Sequence, residues 1–247
     1  MNTEELKHVR YLNSSDRALT VEFGNEISER MNHRVRVFCL LLEQSDIPGI
    51  VELVPTYRSV MIHYEPHIIR QGQLIASIRR IVEETPDIHL PESEIVDVPV
   101  YYGGESGTDL SVVASYHSIS EQEVIRLHSR PHYLIYMLGF TPGFAYLGGM
   151  NSRIATPRLA VPRTSLPAGS VGIAGSQTGI YPMASPGGWQ IIGQTPLVLY
   201  DHTREHPILF EAGQRIRFHP ITHEEYVKTA GHEPTPLAPQ EIKEQNR

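Results

Sequence analysis

The chain has 247 residues, enough for one or two domains at about 150 residues each, and long enough to bury a substantial core without covalent staples. A single cysteine, Cys39, excludes an intrachain disulfide and a cysteine-built zinc site, and a net charge of −7 speaks against a general nucleic-acid or acidic-membrane binder. Residues 1–20 lack the apolar core of a secretory signal and no run of 18 apolar residues occurs, so a cytoplasmic protein with no membrane span is expected.

Residues 1–90 read as a small α+β domain. His8–Leu12 and Ala18–Phe23 are expected strands, the second alternating Leu19, Val21 and Phe23. Ser28 offers an N-cap to a helix that carries Met31, Val35, Phe38 and Leu42 on one stripe, and Pro48-Gly49 ends it. Ile50–Pro55 and Ser59–Tyr64 read as a hairpin, and Ile68–Val82 as a second helix. Two helices on one face of an antiparallel sheet would bury both stripes, as in a ferredoxin-like unit. Thr85–Glu94 is a polar, proline-containing link.

Residues 95–230 have another texture. Ile95–Tyr102 is an expected strand, followed by short helices over Asp109–Tyr116 and Glu121–His128 with Thr108 and Ser120 as caps. Tyr133–Leu138 reads as a buried strand. Short β-runs broken by Gly and Pro follow at Ser170–Ala174, Trp189–Ile192, Leu197–Tyr200, Ile208–Phe210 and Ile216–Phe218, the punctuation of a barrel or sandwich. Residues 231–247 have little to bury and read as a mobile tail.

The most informative stretch is 139–196, which holds 11 of the 19 glycines and 7 of the 19 prolines, no Asp, Glu, Lys or His, and three arginines, Arg153, Arg158 and Arg163. An even spread of the chain's 28 acids would place about six or seven here. A surface that keeps guanidiniums and excludes carboxylates suits an anion, which Arg binds bidentately and which glycine lets backbone N–H groups approach. The competing reading is a tightly turned barrel whose arginines cap carbonyls, or a protein-binding groove with Phe144, Tyr146 and Trp189 as aromatic anchors. His128, at the end of an expected helix, is a candidate acid–base or a structural helix cap. His202-Thr203-Arg204-Glu205-His206 fits H-x-x-E-H, but β-like flanks and Pro207 make it a hairpin loop, and no cofactor or metal set stands out.

Three blocks carry a resemblance: Gly139-Phe140-Thr141-Pro142-Gly143-Phe144-Ala145-Tyr146-Leu147-Gly148-Gly149, Pro167-Ala168-Gly169-Ser170-Val171-Gly172, and Ser185-Pro186-Gly187-Gly188-Trp189. With Pro157-Arg158, Pro162-Arg163 and Gln177-Thr178-Gly179-Ile180-Tyr181-Pro182, they make the chain resemble the family of 5-oxoprolinase B subunits, over nearly its whole length. The resemblance implies a small N-terminal α+β domain and a cyclophilin-like β-barrel. It implies a non-autonomous component that works with the 5-oxoprolinase C subunit, the counterpart of the other half of a carboxyltransferase region, and with the A subunit. Together they would open 5-oxoproline to glutamate at the expense of ATP, with this chain inactive alone. One branch of the family instead restrains autophosphorylation of a sporulation histidine kinase. 5-Oxoproline carries a carboxylate, so Arg158 and Arg163 are the expected anion ligands, with Tyr146, Gln177 and Tyr181 as neighbours. No phosphate-binding G-x-x-x-x-G-K-[ST] loop occurs, so an ATP site is either unusual or elsewhere in the complex.

Overall fold

The computed structural model describes residues 9–84, 90 and 92–232. His8, much of the expected link and the expected tail beyond His232 lie outside them. The chain divides into two compact units, one up to Glu92 and one from Ser93.

The first unit contains β1 (Arg10–Ser15), β2 (Ala18–Glu22), α1 (Glu29–Gln44), β3 (Ile50–Pro55), β4 (Ser59–Tyr64) and α2 (Gln71–Glu84). Its sheet runs β1-β2-β4-β3, with every neighbouring pair antiparallel. Alternation turns Leu19 and Val21 of β2 to the same side as Val60, Ile62 and Tyr64 of β4, and all five are buried. Val35, Phe38 and Leu42 of α1 and Leu74, Ile78 and Val82 of α2 close over them in one core. The Ser28 hydroxyl accepts from Met31 N and starts α1. The α+β layering is ferredoxin-like, with one difference. That motif runs βαββαβ, and here the order is ββαββα, so the strand beside β2 comes from the start of the unit and not from its end. The expected second helix begins three residues late, at Gln71, because Ile68 sits half-exposed in a lead-in turn whose N–H donates to Glu65 O.

The second unit contains β5 (Ile95–Tyr102), α3 (Leu110–Tyr116), α4 (Glu121–Ser129), β6 (His132–Leu138), β7 (Ala145–Gly148), β8 (Arg163–Leu166), β9 (Ser170–Ala174), β10 (Gln177–Ile180), β11 (Ser185–Gly187), β12 (Gln190–Gln194), β13 (Arg215–Pro220) and α5 (His223–Ala230). Seven strands follow the order β10-β9-β12-β5-β13-β6-β7, and β10 returns against β7 to make a nearly closed barrel. β13 and β5 are parallel, and the other pairs are antiparallel. β8 and β11 form a separate ribbon. Val98, Val100, Ile135, Val171, Ile173 and Ile216 fill the interior, and α3 and α4 add Val113, Val124 and Leu127.

Two expected strands are absent. Leu197–Tyr200 and Ile208–Phe210 meet only through one bridge, Tyr200 to Ile208. Pro207 has no N–H to extend the ladder, and the exposed loop between them is organised by Asp201, which accepts from Thr203 N. His202 and His206 lie in that loop, not on a helix. At α3 the cap position falls to Asp109, not Thr108, and the Asp109 carboxylate makes no cap because Arg163 has claimed it.

Candidate functional site

The loop from Gly139 to Phe144 doubles back twice. Thr141 N donates to Gly139 O at 2.8 Å around Phe140, whose φ of 66° is left-handed, which makes a γ-turn. Phe144 N then donates to Thr141 O at 3.0 Å across Pro142 and Gly143, and Gly143 at φ 83° supplies the positive φ that this second turn requires. The outcome is that the Phe144 ring is buried while Phe140 is 69% exposed, with the rings edge to face at 5.6 Å. Phe144 is a hub. Its ring meets Tyr146 at 5.2 Å, Trp189 at 5.8 Å and Tyr181 at 6.0 Å. On β10, a Cβ at Gly179 would lie 3.2 Å from the Trp189 ring and 3.3 Å from the Phe144 ring, so the glycine lets both rings rest closer to the strand than a side chain there would.

These rings form one side of a cavity of about 350 Å³. Arg158, Leu159, Pro162, Gln177, Pro186, Gly187 and Gly188 complete the lining. Residues 186–190 are stitched to the Arg158 loop, since Leu159 N donates to Gly188 O at 2.8 Å and Gln190 Nε2 to Pro157 O at 3.0 Å. Of the residues expected at the site, Phe144, Tyr146, Arg158, Gln177, Tyr181 and Trp189 therefore face one space, and Phe140 joins them at the rim.

The three arginines part company. Arg153 is exposed and pairs with Glu123 at 3.3 Å. Arg163 is buried and bidentate on Asp109, Nη1 to Oδ2 at 2.9 Å and Nη2 to Oδ1 at 2.8 Å, and Oδ2 also accepts from Ile191 N at 2.7 Å. That geometry corrects the expectation for Arg163, because both terminal nitrogens of its fork are filled by a carboxylate of the chain itself and it does not line the cavity. Arg158 lines the cavity with no ion pair among the described residues. Nearby, burial pushes the Tyr181 phenol up to about 12 against the pull of Arg158, Arg163 and the Trp189 backbone, so it is a neutral donor at physiological pH.

His128 is not in the cavity. Its ring is buried in the barrel, with Nδ1 2.7 Å from the Tyr102 hydroxyl and Nε2 2.8 Å from Thr178 Oγ1. The Thr178 hydroxyl spends its one hydrogen on Gly172 O, so it accepts from Nε2–H, and Nδ1 accepts from Tyr102. Burial lowers the ring's pKa to about 3, leaving it neutral and structural rather than an acid–base. It braces β10, the strand that carries Gln177.

The cavity lining holds no His, Asp, Glu, Lys or Cys among the described residues. It can bind an anion with an apolar body, and by itself offers only phenols for proton transfer. The composition of 139–196 pointed to this segment. What sequence reasoning missed was Phe140, Leu159, Pro162, Pro186, Gly187 and Gly188; the family blocks containing Phe140 and Pro186-Gly187-Gly188 and the proline-flanked arginines were the available signal.

Residues 9–210 match the carboxyltransferase domain, subdomain C and D, a class of domain consistent with the barrel and its attached α+β unit. The B subunit of 5-oxoprolinase from Bacillus subtilis is 42% identical over 221 residues, spanning 85% of this chain and 92% of that one. Its namesake from Escherichia coli O157:H7 is 43% identical over 190 residues, 75% of this chain and 84% of that one. The chain belongs to the family of 5-oxoprolinase B subunits. Among solved structures, TTHA0988 superposes with a TM-score of 0.73 at 36% identity, over 83% of this chain and 40% of that one. The Kluyveromyces lactis urea carboxylase superposes at 0.71 with 24% identity over 91% of this chain and 23% of that one, a likeness of fold.

Proposed function

We propose that this chain is the B subunit of an ATP-dependent 5-oxoprolinase complex that opens 5-oxoproline to L-glutamate together with the A and C subunits, and that Arg158 holds the substrate's carboxylate in the barrel cavity. The observation that carries the reading is the Arg158 guanidinium, without an ion pair, in an aromatic-walled space without acids. The names of the relatives at 42% and 43% identity support the reaction and the existence of partner subunits. A lining without a general base supports a chain that is inactive alone. One guanidinium does not fit a triphosphate, so the reading assigns ATP to another part of the complex.

The test is reconstitution. The chain is combined with the A and C subunits, and glutamate release and ATP hydrolysis are followed with native chain, Arg158→Ala and Arg158→Lys. A loss of about ten- to a hundred-fold for Arg158→Ala, partly restored by Lys, is expected. Turnover by the chain alone, or a native rate for Arg158→Ala, overturns the reading. Inhibition of histidine kinase autophosphorylation with no 5-oxoproline turnover would place the chain in the inhibitor branch.

A further inference from the structure

We infer that the cavity selects monoanions over zwitterions, so that it takes a compact carboxylate whose nitrogen is acylated and rejects the free amino acid. The inference rests on the reading of Arg158 as the carboxylate ligand and adds what the rest of the cavity does with the nitrogen. In a lactam that nitrogen is a neutral amide. In an amino acid it is an ammonium, which needs an anion or several strong acceptors once it leaves water.

The cavity lining provides no anion among the described residues. Its lining carries one charge among the described residues, the cation of Arg158, and the 58 residues from 139 to 196 contribute no Asp or Glu. Of the carboxylates that reach this segment from outside, Glu123 is paired with Arg126 and Arg153 and is not in the cavity lining, and Asp109 is buried and filled by both terminal nitrogens of Arg163 and by Ile191 N–H. The Tyr181 phenol stays neutral far above physiological pH. One carbonyl of a lining residue, Gly188 O, already accepts from Leu159 N. Aromatic faces attract cations, but Phe144, Tyr181 and Trp189 meet one another edge to face, which spends part of their ring surface within the wall. A zwitterion placing its carboxylate on Arg158 would therefore leave its ammonium without a counter-charge beside a guanidinium. The same chemistry would favour release of the product, because ring opening turns the neutral amide nitrogen into an ammonium within the site.

The test is a ligand series on the native full chain, alone and with its partner subunits, followed by titration calorimetry or ligand-observed NMR. The series is 5-oxoproline, cyclopentanecarboxylate, L-proline and L-glutamate. Cyclopentanecarboxylate is expected within a few-fold of 5-oxoproline, and L-proline, with a ring of the same size, about ten- to a hundred-fold weaker. Gln177→Glu places a carboxylate in the cavity and should narrow or invert the ratio of 5-oxoproline to L-proline. If L-proline binds the native chain as well as 5-oxoproline, and Arg158→Ala abolishes both, the selection is overturned while the anion site stands. If no carboxylate binds, or binding survives Arg158→Ala, the anion site falls and the selection with it.

Discussion

Arg158 and Arg163 lie five residues apart behind prolines, look alike in sequence and have opposite fates. Arg163 makes a buried, bidentate pair with Asp109, and removing one partner of such a pair strands the other. Asp109→Ala and Arg163→Met are each expected to cost about 3–5 kcal/mol, read as a lower midpoint in urea unfolding. Arg158→Ala should change stability by no more than about 0.5 kcal/mol and lose ligand, which separates scaffold from site in one pair of measurements. The acid-free composition made the segment legible as an anion site. It could not say which arginine stays available, because Asp109 lies 54 residues away from Arg163. His128 makes the same point. Its helix-end position was visible, but its burial between Tyr102 and Thr178 depends on how the barrel closes. Because its folded pKa, about 3, is depressed below the ordinary value of 6.5, its contribution is fully present above about pH 6.5 and is lost as pH falls toward 3. Between pH 6.5 and 5 this group should cost about 2 kcal/mol of stability. Imidazole nitrogen shifts checked at pH 5 should still report a neutral ring in the folded chain; a protonated ring there would contradict the buried geometry.

At the scale of elements, the periodicity of Val35, Phe38 and Leu42 and the hairpin of Ile50–Pro55 with Ser59–Tyr64 were readable because each buries one face against one core. β7, β8, β10 and β11 were not. They are three or four residues long and several are interrupted by Gly or Pro; β8 and β11 also pair with each other across about twenty residues, while β7 and β10 are too short to show alternation beside their neighbours β6 and β9. β10 shows what such a strand contributes. Thr178 bonds to His128 on one side, and Gly179 gives Trp189 and Phe144 a surface on the other. Gly179→Ala inserts a methyl 3.2–3.3 Å from both rings, so the rings must give way, at a cost of about 1–3 kcal/mol. Trp189 is the one tryptophan of the chain, so its emission reports the cavity directly. The variant should shift that emission and weaken carboxylate binding together. An unchanged spectrum with native affinity would mean that the rings do not depend on the glycine.

For the whole molecule, the uneven charge and the two cores matter together. Residues 139–196 carry +3 and the rest of the chain −10, and folding cancels part of that contrast by bringing Glu123 to Arg153 and Asp109 to Arg163. The two units differ in how their contacts are spaced along the chain. The first joins two hairpins through the pairing of β2 with β4 across about forty residues, whereas the barrel depends on β13 lying parallel to β5 across more than a hundred residues, from Ile95 paired with Arg215 to Val100 paired with Pro220. Such long-range pairing must close a large loop before it is rewarded, so the barrel is expected to be the slower unit to form. Each unit also has a complete core of its own, and each should unfold as its own cooperative step. The chain supplies two separate reporters for this. Trp189 lies in the barrel, and the two longest helices, α1 and α2, lie in the first unit and weigh heavily in the far-ultraviolet dichroism. Urea unfolding followed by Trp189 emission and by helical dichroism should therefore give midpoints that do not coincide, and the Asp109→Ala variant should move the fluorescence midpoint while leaving the helical transition of the first unit in place. Coincident midpoints in the native chain, shifted together by that one substitution, would show that the two units unfold as a single body.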